Sequence, residues 1–521
     1  MKKFIWPVIA IMLSVILASC GGKGNGDKNE LDEAEVRTSL KSTTVRIVLM
    51  ATQIPADANA VTAAVNRALL KDGKPYSVDI EYASDTNYSV MLEERAKQGF
   101  DAAWSHVDNI PDLLNKQVIK NNLLPYLEKW GQAILDDVPE YAFSQFTSYE
   151  NGGLYAIPRH MPIADDRSRL LIRKDWMEDA GLTEVKTIAA LDQYLAHIES
   201  VYGGQTGFYA LWPDYGNVHL LRELAPSFYF PLGSDTYPVY IDISKQPYTV
   251  KNFFQTEEFA TWVNKSYSYV QQGLAPVNPG SNKPDSMFQL GLTGAISDYS
   301  VVKLSERILS FKAVQPQGEL YDVFFESETN KKVVMRGGDN CMVVLSQSQN
   351  VEETVDFFAW IKDQDNHDLM TLGVKNENYY LTEDGKVTFR KGDDVIPESK
   401  RFTINAPYWA YNDITYTRWS EYVDDAWIEE TTNWEKNDQN GNPENYIVSP
   451  LVGFNIYPTS AYKIAFEKVS GKSAMLTMLL QGRTSPSEIQ KLISDTNANG
   501  MSDLIAEVQR QVDAFLAAKN K

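Results

Sequence analysis

The order of apolar runs along this chain predicts an α/β protein of two lobes, each built on a parallel sheet, with additional helices at the C-terminal end. Three observations carry this. Strands and helices alternate from Thr44 onward, a second α/β series restarts after the turn Asn151-Gly152-Gly153, and the chain has 521 residues. Alternation of this kind builds parallel sheets covered by helices. A single core stops growing at about 250–300 residues, so this length calls for two.

Thr44–Met50 is a β-branched run bounded by polar residues and reads as the first strand; an Ala-rich helix follows near 56–70. A second strand fits 77–82, a helix 88–98 and a short strand 100–104. After the Asn151-Gly152-Gly153 turn comes Leu154–Pro158, and the new series starts with a strand at 169–173, a helix at 187–201, a strand at 207–211 and a long helix at 256–273. Arg336-Gly337-Gly338-Asp339 supplies flexible backbone before the strand Cys341–Leu345. Asn350, with Glu353 three residues on, then opens a helix as a variant capping box. Asp384-Gly385, between Tyr379–Leu381 and Lys386–Phe389, reads as a hairpin turn. Ser485-Pro486-Ser487-Glu488 combines an N-cap, a first-turn proline and a capping glutamate, and Leu504, Ile505, Val508, Val512, Phe515 and Leu516 form one apolar stripe. The expected lobes are therefore 44–158 with 338–395, and 159–337 with 396–521, the second carrying the C-terminal helices. No internal repeat is present.

The N-terminal segment has its own logic. Lys2 and Lys3 precede an apolar run from Phe4 to Ala18, too short for a membrane-spanning helix, which needs about 20 residues. Residues 1–19 read as a secretion signal. Leu17-Ala18-Ser19-Cys20 resembles a bacterial lipobox, which implies lipidation of Cys20 and a mature protein that begins there; an ordinary signal peptide or an uncleaved anchor is the alternative. Two acyl chains hold a protein firmly to a bilayer. Residues 20–43, rich in Gly, Lys, Asn, Glu and Ser, read as the flexible tether, which places the body on the extracytoplasmic face of the cell membrane.

Sixty-nine acidic residues against 49 basic ones give a formal charge of −20, which disfavours nucleic acid and anionic lipid surfaces as partners. With Cys20 lipidated, Cys341 has no partner for an intramolecular disulfide, and it reads as a small buried strand residue. The chain lacks G-x-S-x-G, H-E-x-x-H, C-x-x-C and a P-loop. Ser300-Val301-Val302-Lys303 satisfies S-x-x-K without its companion motifs. Asp495–Asp503 matches the start of a calcium loop, but Ala506 stands where the bidentate glutamate belongs, so a polar turn between helices is expected and no metal or cofactor. A pair of carboxylates for glycoside hydrolysis is defined in space and stays open at this level.

Phe100–His106, Gly153–Pro158, and Leu170–Trp176 with Gly181-Leu182 resemble successive landmarks of bacterial extracellular solute-binding lipoproteins serving ABC importers, family 1 type; Gly453-Phe454, Leu480–Gly482 and Val508–Asp513 resemble the LipO-type tail. This resemblance implies a two-lobed periplasmic-binding-protein-like fold of type II, a hinge, a cleft between the lobes and a carbohydrate cargo. Open α/β sheets bind ligands beyond the carboxyl ends of their strands, and sugars take aromatic faces and planar polar side chains. On that basis Trp104, Ser105, His106 and Asp108 resemble the sugar-contacting turn, with Gln53 similarly placed after the first strand. Trp212 and Asp214 follow a second-lobe strand, Tyr299 stands where the family often places a cleft aromatic, and Trp409 and Arg159 complete the candidates. For each tryptophan the competing place is the core. Arg173 and Asp175 read as a structural pair at a strand-to-helix junction.

The expectation is a monomeric, non-enzymatic, lipid-anchored receptor that captures a mono- or oligosaccharide and hands it to ABC permease subunits. The competing readings are a binding protein for peptide, polyamine or another solute, a surface glycoside hydrolase or lyase, and an adhesin.

Overall fold

The computed structural model describes residues 43–51, 54–83, 88–159, 163–164, 170–212, 228–229, 238–277, 284–297, 304–323, 325, 332–402, 413, 415–423, 425, 428, 446–471 and 473–519. The expected secretion signal, Cys20 and nearly all of the expected tether lie outside these residues. No helix among the described residues is long and apolar enough to cross a membrane.

Strands are numbered in chain order. The first sheet contains β1 (Thr44–Met50), β2 (Ser77–Ala83), β3 (Ala102–His106), β4 (Ile157–Pro158) and β14 (Asn340–Val344), in the order β2-β1-β3-β14-β4. β1 runs parallel to β2 and β3, while β14 is antiparallel to β3 and β4. The parallel series expected from the sequence is present, but the sheet is mixed, because a strand from far downstream returns between β3 and β4. The helix Ala58–Lys71 turns Val61, Val65 and Leu69 inward at four-residue spacing, the period at which one helix face meets a sheet. β3 starts two residues later than its apolar run suggested. Asp101, 1% exposed, stands just before it: its N–H donates to the Arg46 carbonyl (2.8 Å), and its side chain accepts from the Arg46 N–H (2.9 Å) and the Ser348 hydroxyl (2.7 Å). Cys341 is fully buried in β14, as expected.

A second sheet, β12-β6-β11-β7, joins β6 (Leu170–Arg173), β7 (Tyr209–Trp212), β11 (Thr293–Ser297) and β12 (Leu320–Val323); β7 and β11 are parallel and the other pairs antiparallel. A third joins β8 (Phe228–Tyr229), β9 (Val239–Asp242) and β10 (Thr249–Asn252). The C-terminal helix Met501–Lys519 packs here, with Leu504, Val508, Val512 and Phe515 in one core with Tyr229, Ile241 and Trp262. Between these bodies a small sheet, β19-β13-β5, pairs β5 (Ile163–Ala164), β13 (Lys332–Arg336) and β19 (Tyr446–Val448). Two short hairpins, β15 (Tyr380–Leu381) with β16 (Val387–Thr388) and β17 (Arg390–Lys391) with β18 (Asp394–Val395), close the strand inventory of the described residues. Gly385 takes the expected turn at φ 81°.

Three local readings are refined. Asn350 does precede the helix Val351–Trp360, but its side chain makes no cap and donates to Asp101 instead. Ser485 does cap, accepting from the Ser487 N–H, and opens a 3₁₀ turn before the helix Ile489–Ala498. That helix runs through the calcium-like segment as far as Ala498, and Gly500 at φ 98° turns the chain into the last helix. Among the described residues no His, Cys, Asp and Glu group could hold a metal ion.

Gln145 ties the crossing segments together. It follows the helix Glu140–Ser144 and is fully buried. Its Oε1 accepts from the backbone N–H of Gly337 and of Gly453, both at 3.1 Å, and its Nε2 donates to Asn455 Oδ1 (2.9 Å) and the Phe454 carbonyl (3.3 Å). Asn455 returns a bond to the Gln145 carbonyl at 2.7 Å. A Cβ at Gly337 would lie 2.2 Å from the Tyr141 carbonyl oxygen, and one at Gly453 3.0 Å from that of Ser144. Gly337 therefore serves close backbone approach rather than flexibility. Replacing Gln145 by Leu strands two buried N–H groups, each costing about 1–3 kcal/mol. Urea denaturation should show a loss of about 3 kcal/mol; an unchanged midpoint would contradict this role.

Candidate ligand-binding site

β1, β2, β3 and β4 all end at one edge of the first sheet, where β14 begins. The chain leaves β1 toward β2 on one side and then adds β3 on the other, so the strand order reverses direction at this edge, the position where open α/β sheets receive ligands. Four sequence candidates converge here: Trp104, His106 and Asp108 at the end of β3, and Arg159 immediately after β4.

Each is fixed by a named contact. Trp104 takes the competing place, 8% exposed in the core of the first sheet; its indole N–H donates to Asn340 Oδ1 at 3.0 Å and its ring meets Tyr88 edge-on at 5.4 Å. The Tyr88 hydroxyl lies 2.9 Å from the Trp104 carbonyl and 3.1 Å from that of Val48, pinning β1 and β3 side by side. His106 Nδ1 accepts from the Asp108 N–H at 3.3 Å and lies 3.2 Å from its carboxylate, a local cap that turns the chain out of β3. Arg159 grips Asp339 with Nε (3.0 Å) and Nη2 (2.9 Å to each oxygen). The Arg159 side chain is 5% exposed, against 21% for Asp339, 31% for His106 and 30% for Asp108. Two donors in this cluster, Arg159 Nη1 and Asn340 Nδ2, are buried without an acceptor.

Burial works to raise the Asp339 pKa, but the Arg159 guanidinium, followed by His106 and the Asn340 N–H, outweighs it and holds the carboxyl below the ordinary carboxylate range. The Cys341 thiol behind it is pushed far up, first by burial and then by the Asp339 charge. It is no nucleophile.

Asp339 and Asn340 were not singled out as ligand residues from the sequence. The Arg336–Asp339 segment was visible as a return point, but its pairing with Arg159 joins residues 180 positions apart. Trp212 ends β7 in the second sheet and is 2% exposed, packed with Leu171, Phe288 and Ile296. The structure does not bring it to the cluster around Asp339. Gln53, Asp214, Tyr299 and Trp409 lie outside the described residues. Arg173 binds Asp175 (Nε–Oδ1 2.8 Å) and lies over the Trp176 ring, as expected of a junction pair.

The fold is that of the two-lobe solute-binding proteins, and structural neighbours of the chain are ABC-transporter sugar-binding proteins. No family model matches the chain, and no curated protein matches its sequence. Among solved structures, the N-glycan transport solute-binding protein NgtS of Streptococcus pneumoniae matches at TM-score 0.73 and 16% identity, over 92% of this chain and 100% of that one. An HMO-binding, ABC-transporter-associated solute-binding protein of Bifidobacterium longum infantis matches at 0.60 and 15%, over 91% and 99%. FusA of Streptococcus pneumoniae, solved with kestose, matches at 0.56 and 13%, over 92% and 100%. At these identities the likeness concerns the fold.

Removing one member of a buried ion pair leaves an uncompensated charge and costs about 3–5 kcal/mol. Arg159→Met should therefore destabilise more than Arg159→Met combined with Asp339→Leu. A double-mutant cycle in guanidinium chloride checks it, and additive effects would show that the pair is not coupled.

Proposed function

We propose that this chain is the substrate-binding component of an ABC importer that captures a mono- or oligosaccharide between two lobes and delivers it to a membrane permease. The observation that carries the reading is a fold match over 91–92% of the chain to carbohydrate-binding solute-binding proteins, with a polar cluster at the strand-end edge where such a fold takes ligands. No bond is made or broken. The elements around the first sheet form one lobe and those around the second and third sheets the other, and β5, β13 and β19 lie in the three passages between them. A ligand that touches both lobes favours the closed arrangement by its differential affinity.

A thermal-shift and calorimetric screen across mono- and oligosaccharides should find a stabilising ligand with a dissociation constant near 1 μM, about −8 kcal/mol. Stabilisation by peptides or polyamines alone would reassign the cargo, and sustained turnover of a polysaccharide would reassign the class. Lipidation of Cys20 anchors the receptor at the extracytoplasmic face. Cys20→Ser should move it from the membrane fraction to the soluble fraction in its host; retention with the membrane would refute the anchor.

A further inference from the structure

Between Asp413 and Val423 the chain passes from the first lobe to the second before it reaches β19. The start of this stretch is fastened by polar groups. Asp413 shares the Lys362 ammonium with Asp137, whose Oδ2 lies 2.8 Å from Nζ, and all three side chains are buried. The Tyr416 hydroxyl donates to the Lys362 carbonyl at 3.0 Å, Gln364 Nε2 donates to the Tyr416 carbonyl at 2.9 Å, and Arg418 Nε donates to Asp368 Oδ2 at 3.0 Å. Lys362 stands just after the helix Val351–Trp360, and Gln364 and Asp368 belong to the helix Gln364–Thr371. Phe357, Phe358 and Met370 place both helices in the core of the first sheet.

The far end is fastened by apolar groups. Trp419 and Val423, both buried, belong to one core with Leu171 of β6, Trp212 of β7 and Ile296 of β11, three strands of the second sheet. The backbone approaching this seat is stiffened by the hairpin β15–β16. The Val387 N–H donates to the Trp419 carbonyl at 2.7 Å, the Glu421 N–H donates to the Val387 carbonyl at 2.9 Å, and Lys386 Nζ donates to the Val423 carbonyl at 2.8 Å. The hairpin in turn packs through Tyr379 and Val387 with Leu372, at the end of the helix Gln364–Thr371. Hairpin and crossing stretch therefore extend the first lobe as one unit.

The two fastenings allow different movements. Drawing Lys362 away from its aspartates strands buried charge, which fixes the first-lobe end. Contact between apolar side chains has no preferred direction, and sliding it leaves no polar group unpaired. Relative motion of the lobes therefore falls on the seat of Trp419 and Val423. We infer that 413–423 is a strap carried by the first lobe, and that Trp419, seated in the second, is a positioning residue that restricts how far the lobes turn against each other. The inference rests on the two-lobe capture reading above and adds to it the element that limits the movement.

The test is an interlobe distance measured without any sugar. In the full chain carrying Cys20→Ser, Lys71→Cys in the first lobe and Glu178→Cys in the second, both at exposed positions, take spin labels, while fully buried Cys341 stays unlabelled. Double electron–electron resonance should give one narrow distance distribution, and Trp419→Phe should keep it. Trp419→Ala and the milder Val423→Ala should each widen it, Trp419→Ala by about twofold, with the amides of β6, β7 and β11 still protected from hydrogen exchange. A width unchanged in both alanine variants, or already broad with the strap intact, overturns the inference. Widening together with lost protection in the second sheet also overturns it, because Trp419 is then only a core residue of that lobe. Every outcome is read in the absence of carbohydrate, so sugar binding stands or falls on the ligand screen instead.

Discussion

A chain that crosses repeatedly between two bodies must bring several stretches of backbone through a narrow, water-poor region, and every N–H and C=O there needs a partner. Gln145 meets that demand. One buried amide accepts from Gly337 and Gly453 and donates to Phe454 and Asn455, so two crossing segments are held to the end of a single short helix. A side chain with both donor and acceptor is required. Glutamate lacks the donor and leucine lacks both. The small sheet β19-β13-β5 then completes the hydrogen bonding further along the same segments.

The cluster at the carboxyl edge of the first sheet draws on the same architecture. Arg159 belongs to the first crossing and Asp339 to the second, and their ion pair closes the two segments together at the carboxyl edge of the first sheet. Asp339, partly exposed, is thus held by a group that solvent barely reaches. That arrangement ties the two segments to each other through one buried ion pair.

Much of the fold was legible because its signals are local. β1 and its following helix announce themselves by β-branched runs and by apolar spacing, and the last helix by the stripe from Leu504 to Phe515. Trp104, His106 and Asp108 were readable as a group because they are contiguous at one strand end. Trp212 carries the same local signature, and both tryptophans are buried, Trp104 in the core of the first sheet and Trp212 among Leu171, Phe288 and Ile296. Exposure depends on neighbours that sequence proximity does not name. The antiparallel entry of β14 between β3 and β4 escaped for a similar reason, since pairing partners far apart in the chain leave no local pattern.

Residue order alone therefore dictates the alternation of elements, the basic and apolar N-terminal segment with its lipobox-like end, and the short run of polar residues after β3, because each depends on spacing of a few residues or on composition. Three-dimensional packing settles the rest. It pairs Arg159 with Asp339, leaves Asp339, Asp108 and His106 partly exposed while Arg159 is buried, and turns Gly337 from apparent slack into a point of close backbone contact. These outcomes follow from which distant segments share a surface, and burial, not sequence separation, sets the strength of the interactions made there.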